Sequence, residues 1–297
     1  NTTFRGQGYK TMRRFQGSSV RRNCCVTSQV LQFYSTKGTN RNKHADEMRQ
    51  LLYETGAMNA RYGPISIRAE RYGHDSNSLK EHLGKNQTKI IHFQRHGQGY
   101  HNLIYRILDE CGVPVHDVYD PDPTVNPFVR PEIVDSPLTE HGRAQCNNQR
   151  LKASRLKPEI LFVSPLHRAI QTAQITFQDF HGKIPFVAHE GCREDLGLLV
   201  CNKRRPLSET AREFPDIDFS SISSGEQDTL WSSEKRECPV EKSKRIYSFL
   251  VDYVRHLPQK EIAIVTHSAW LFNLCNAVMD CGNDDELMSW FGTGEIR

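Results

Sequence analysis

The sequence predicts an α/β protein, a three-layer α/β/α sandwich built on a mostly parallel central sheet. Two observations carry this. Short β-type runs alternate with helical stretches from Lys89 onward, the pattern that covers both faces of a parallel sheet with helices. The length, 297 residues, suits one good core, or one core plus an appendage.

Residues 1–43 carry nine Lys or Arg and no Asp or Glu, and are expected to be disordered. Residues 44–88 read as a linker or N-terminal extension, with a short helix around 46–53 and loop signals at Gly63-Pro64, Gly73 and Asn77. The regular part spans 89–297. Its first strand, Ile90-Ile91-His92-Phe93-Gln94, meets Gly97 and Gly99. A helical stretch with Leu103, Ile104, Ile107, Leu108 and Cys111 follows and stops at Gly112. A Pro- and Asp-rich loop covers 113–135, and Thr139 caps a helix running to about 155.

Ile160-Leu161-Phe162-Val163 is the second strand. Ser164-Pro165 then reads as N-cap and first position of a helix to about 180. A strand over 184–188 precedes an irregular stretch, 190–235. Ile246, Phe249, Leu250, Tyr253, Val254 and Leu257 mark one face of a long helix. Ile262-Ala263-Ile264-Val265 is the last strong strand, with a helix after it from about 269 to 279. Gly294-Glu295-Ile296-Arg297 reads as a strand just beginning, and the chain opens on Asn1, so both ends are expected to continue in the full protein.

Composition narrows the function classes. A mean hydropathy of −0.62, with no long apolar run, predicts no membrane span. The net charge of +4 belongs to the leader: beyond residue 43 stand 30 basic against 35 acidic residues. A nucleic-acid-binding body is therefore not expected. The leader is either a transit peptide, sending the protein to a mitochondrion or plastid, or a basic extension of a cytoplasmic protein. Nine cysteines include no C-x-x-C pair and no zinc-like Cys/His spacing, so neither a disulfide framework nor a metal site is expected.

Ligands of open α/β sheets bind beyond the carboxyl ends of the strands. Three strands end in chemistry: Arg95-His96-Gly97, Ser164-Pro165-Leu166-His167-Arg168 and Thr266-His267-Ser268. Arginine forks and helix N-termini suit a phosphate dianion. A histidine among such cations stays neutral, and a neutral ring nitrogen is a competent nucleophile.

The run Gln94-Arg95-His96-Gly97-Gln98-Gly99-Tyr100-His101-Asn102 resembles the signature of the histidine phosphatase superfamily, whose members include the cofactor-dependent phosphoglycerate mutases. Four further matches come in the family's order. They are Asp135-Ser136-Pro137-Leu138-Thr139 with Gly142 and Gln145, Ser164 to Ala173, Cys192-Arg193-Glu194-Asp195-Leu196-Gly197, and Val265-Thr266-His267. The resemblance implies a phosphoglycerate mutase-like fold and a catalytic domain over 89–297. It makes His96 the nucleophile and Glu194 the acid, with Asp195 as the alternative. Arg95, Arg168 and His267 would bind the phosphoryl group, and Asn102 would reach it from the next helix. No metal and no cofactor would be needed, and the partner would be a small phosphorylated metabolite.

Lys203, Arg204 and Arg205 are either a substrate clamp or a solvated basic loop, and Trp231 is a packing anchor. Three functions are open: a phosphatase, a mutase primed by 2,3-bisphosphoglycerate, or a catalytically weak binding module. Ser268-Ala269 stands where the mutases have Gly-Asn, and Asp195-Leu196-Gly197 departs from their acid segment. The pattern is most similar to the phosphoglycerate-mutase-like phosphatases of eukaryotes, and a phosphatase is the reading.

Overall fold

A computed structural model describes residues 38–71, 88–113 and 120–297, with side chains from His44 onward. Most of the basic leader, Cys24 and Cys25, and the loop signals Gly73 and Asn77 lie outside the described residues. Helix α1 (Gly38–Glu54) and the short strand β1 (Ile67–Arg68) precede β2 (Ile90–Arg95) and α2 (Tyr100–Glu110). Then come α3 (Glu140–Ala153), β3 (Ile160–Val163), α4 (His167–Thr176), β4 (Phe186–Ala188) and α5 (Leu207–Glu213). Helix α6 (Pro239–Ser248), β5 (Glu261–Thr266), α7 (Ser268–Asn273), β6 (Met279–Asp280) and α8 (Asp285–Met288) complete the order.

Four strands form one parallel sheet in the order β2-β5-β3-β4. Successive side chains of a strand point to opposite faces. Leu161, Val163, Ala263 and Val265 therefore pack on one side, against Ala153 of α3 and Ala169, Ile170 and Ala173 of α4. Ile160, Phe162, Ile262 and Ile264 pack on the other, against Ile246 of α6 and Trp270 and Leu271 of α7. The result is the three-layer α/β/α sandwich that the alternating pattern predicts. On the free edge of β2 the chain end pairs antiparallel: Phe93 N–H donates to Arg297 O at 2.8 Å and Arg297 N–H to Phe93 O at 2.9 Å.

Two readings need correction. Residues 38–43 are helical, not disordered, and residues 44–71 are a docked N-terminal extension, the second of the two readings given for that segment, rather than a linker. Ala45, Met48 and Leu52 form a buried stripe on α1 that packs with Ala57 and Phe272. β1 pairs in parallel with β6, so this segment is tied to the domain by backbone as well. The sequence pattern showed the helix but not the surface it docks on.

The second correction concerns Ser164-Pro165. Helix α4 opens at His167, not Pro165. The Ser164 hydroxyl shares a hydrogen bond with His267 Nε2 at 2.7 Å, and the carboxylate of Asp135 accepts from His167 N–H at 2.8 Å. A cap supplied from 32 residues away replaces the local one. Thr139 does cap as expected, its hydroxyl accepting from Gly142 N–H at 3.0 Å.

Candidate active site

β5 lies between β2 and β3, so the three chemistry-bearing strand ends are neighbours. His96 N–H donates to Thr266 O, and Ser164 N–H donates to Val265 O, both at 3.0 Å. The turn after β2 is braced by α3 and α4: Gly97 N–H donates to Thr172 Oγ1 at 3.0 Å and Gln98 N–H to Gln145 Oε1 at 2.9 Å. A Cβ on Gly142 would lie 2.1 Å from Gln98 O, so α3 approaches this turn only as glycine.

His96 is 2% exposed. Its Nδ1 donates to Gly97 O at 2.6 Å, and its Nε2 accepts from Arg168 Nε at 3.3 Å. These two bonds set the tautomer, with the proton on Nδ1 and the lone pair on Nε2. Arg168 is fully buried, and its fork also donates to Cys201 O at 2.6 Å and Asn202 Oδ1 at 2.9 Å. The ring of His267 stands edge-on to His96, with centroids 5.0 Å apart, and its buried Nδ1 has no hydrogen-bond partner. Burial, and next the charge of Arg168, hold both imidazoles well below their ordinary pKa. Arg95 adds to this at His96.

The acid segment splits two adjacent carboxylates. Glu194 accepts from Ala269 N–H and Trp270 N–H, each at 3.2 Å, at the N-terminus of α7. Burial and then the neighbouring Asp195 raise its pKa, against the opposing pull of Lys242. Burial acts in the same direction on Asp195, but Lys242 Nζ at 2.5 Å and Arg236 Nη2 at 2.6 Å outweigh it and keep that carboxyl ionised. Two acids of one loop are thus pushed apart, the arrangement that separates a proton donor from a permanent anion. Arg245 holds the loop itself, donating to Arg193 O at 2.9 Å and Glu194 O at 3.1 Å while paired with Glu237.

A small cleft, open to solvent, lies over these groups. His96, Asn102, Arg168 and Glu194 line it, together with His101 and Arg236. Tyr105, Phe128 and Leu199 form an apolar wall. Asn102 has a second task, its Oδ1 accepting from Gly99 N–H at 3.0 Å. His267 and Arg95 are buried next to His96, Arg95 with Nη1 donating to Phe291 O at 2.7 Å. Among the described residues no group of three or more His, Cys, Asp or Glu stands ready to hold a metal ion.

The basic run is not a clamp. Arg204 is 2% exposed and caps a turn, donating to Gly225 O at 2.7 Å and Ser224 Oγ at 3.1 Å. Arg205 pairs with Glu213 at 2.8 Å, and Lys203 lies 4.7 Å over the ring of Trp231. Trp231 Nε1 donates to Leu199 O at 3.1 Å, as a packing anchor would. Sequence reading missed His101, which stood inside the first motif, and Arg236, which carries no local signal and reaches Asp195 from 41 residues away.

A family model for the histidine phosphatase superfamily (branch 1) matches residues 132–291, more than half of the chain. This chain belongs to the histidine phosphatase superfamily. The matched stretch of this superfamily member holds Arg168, Glu194 and His267, while Arg95 and His96 precede it. It is similar to two Arabidopsis thaliana proteins: phosphoglycerate mutase-like protein 1 is 31% identical, covering 71% of this chain and 80% of the relative. The other, a phosphoglycerate mutase-like protein, is 32% identical and covers 71% and 83%. Among solved structures, mycobacterial glucosyl-3-phosphoglycerate phosphatase aligns with a TM-score of 0.42 at 16% identity, over 70% of this chain and 91% of that one. No helix among the described residues of this histidine phosphatase member is long and apolar enough to cross a membrane.

Proposed function

We propose that this protein is a phosphatase that hydrolyses a small phosphomonoester through a phosphohistidine on His96, without a metal ion. The observation that carries the reading is the pair of bonds on the His96 ring. With Nδ1 donating to Gly97 O, the Nε2 lone pair is held deprotonated beside Arg168. Nε2 attacks phosphorus, the bond to the leaving oxygen breaks, and Glu194 gives that oxygen a proton. Water then attacks the phosphohistidine, Glu194 takes its proton, and the N–P electron pair returns to Nε2. Arg168 and Arg95 supply positive charge, and Arg168 and the neutral His267 supply donors for the phosphoryl oxygens, the stabilisation that metal ions provide in other phosphatases. The partnerless buried Nδ1 of His267 is a polar atom that a phosphoryl oxygen would satisfy.

The mutase reading is disfavoured by the leaving-group side of the cleft. Phosphoglycerate needs cations for its carboxylate, yet Lys203, Arg204 and Arg205 are occupied elsewhere. Arg236 is ion-paired with Asp195, and Tyr105, Phe128 and Leu199 line the wall. The test is a turnover screen of purified protein against small phosphomonoesters in EDTA, including 3-phosphoglycerate with and without 2,3-bisphosphoglycerate. Hydrolysis that survives chelation, with acid-labile and base-stable label trapped on His96 and lost in His96→Ala, is expected. Label on Ser or Cys, or full loss of activity in EDTA, overturns the mechanism.

A further inference from the structure

The motif that carries His96 also brings a second imidazole to the cleft. His101 lines it from the first turn of α2, and its ring centroid lies 5.6 Å from that of His96. Its Nδ1 shares a hydrogen bond of 2.9 Å with Ser136 Oγ, itself 2% exposed, on the segment that leads into α3. That bond fixes the ring plane and leaves Nε2 as the nitrogen for a ligand.

The ring fits because residue 99 has no side chain. A Cβ at Gly99 would lie 2.7 Å from His101 Cε1 and 2.8 Å from His101 Nδ1. The Cβ of any side chain at 99 would thus contest the volume the imidazole fills. We propose that His101 is a phosphoryl-binding residue: its Nε2–H donates to an oxygen of the transferred group, from a seat made by Ser136 and kept open by Gly99. This rests on the site being the phosphatase centre proposed above. Burial, then Arg168, hold the ring neutral. With Ser136 donating to Nδ1, the proton resides on Nε2 and the ring acts as a hydrogen-bond donor without adding charge beside His96.

The test uses the full chain, with inorganic phosphate binding and kcat/KM as readouts and thermal melting to verify folding. His101→Ala should weaken both by about 10- to 100-fold, the size of one hydrogen bond to a charged group. His101→Gln, whose amide reaches nearly as far, should recover part of each. Gly99→Ala should lose as much as His101→Ala by displacing the ring, and the double variant should be no worse than His101→Ala alone. Unchanged phosphate affinity and kcat/KM in His101→Ala, or losses in the double variant that multiply, overturn the inference. If His101→Ala does not fold, His101→Phe keeps the ring volume without the donor and must show the same loss. A wild-type protein that neither binds phosphate nor turns over would instead overturn the phosphatase reading.

Discussion

Arg168 Nε donates to His96 Nε2 at 3.3 Å, so the guanidinium that would receive phosphate charge also marks the atom that would attack. Three donors of one buried side chain are assigned, to His96, Cys201 and Asn202. A lysine could keep the charge but not the planar fork that holds these three partners at once. Arg168→Lys is therefore expected to lower kcat/KM by about 10²-fold or more, because planar donors act most strongly on the transition state. Steady-state kinetics check it; a near-normal Lys variant would reduce Arg168 to a general cation.

Glu194 and Asp195 should respond differently to loss of charge. Positioned proton transfer to an alkoxide is worth about 10²–10⁴-fold, whereas p-nitrophenolate leaves unaided. Glu194→Gln should cripple hydrolysis of an alkyl phosphate yet spare the burst of His96 phosphorylation by p-nitrophenyl phosphate. Asp195→Asn instead strands Lys242 and Arg236, both mostly buried, and is expected to cost about 3–5 kcal/mol of stability. A selective kinetic loss in Asp195→Asn, with Glu194→Gln unaffected, would exchange the two roles.

Acid should destabilise the protein through its buried imidazoles. His96, His101 and His267 all have pKa values held well below the ordinary 6.5 by burial first and Arg168 second. As pH falls below that value the unfolded chain takes up protons that the folded chain refuses, so stability is full above about 6.5 and declines as pH falls. Tm measured from pH 7.5 to 5 should drop, and His267→Gln should flatten the slope. A Tm independent of pH across this window would mean that the rings are solvated, and a Tm that rises on acidification that they are charged in the fold.

The N-terminal segment divides at α1. Removing residues 1–43 should leave kcat unchanged, since all the candidate site residues lie beyond Lys89 and α1 keeps its described buried residues Ala45, Met48 and Leu52. Removing everything through residue 71 exposes the Phe272 surface and takes away Met48 and Leu52, each worth about 1.5–3 kcal/mol when buried. A lower Tm is expected for that longer truncation only. Equal Tm values would show that α1 adds nothing to the fold.

The alternating strands, the caps at Thr139 and the chemistry at three strand ends were legible in the sequence because each is local. A strand end places its next residue at the sheet's carboxyl edge whatever surrounds it. The order β2-β5-β3-β4 then brings His96, His267 and the Ser164 segment side by side. What the residues by themselves determined is the layer architecture and the inventory of histidines, arginines and carboxylates at the strand ends. Tertiary structure decided which groups face the cleft. Arg204 read as part of either a substrate clamp or a solvated loop and is instead consumed by the carbonyls of Gly225 and Glu226, while Arg236, with no motif around it, reaches Asp195 across 41 residues. Ser164 looked like a helix cap and is taken by His267. The reason is common to all three. A polar side chain is claimed by whichever donor or acceptor lies nearest once the core has packed, and that partner is set by contacts distant in sequence.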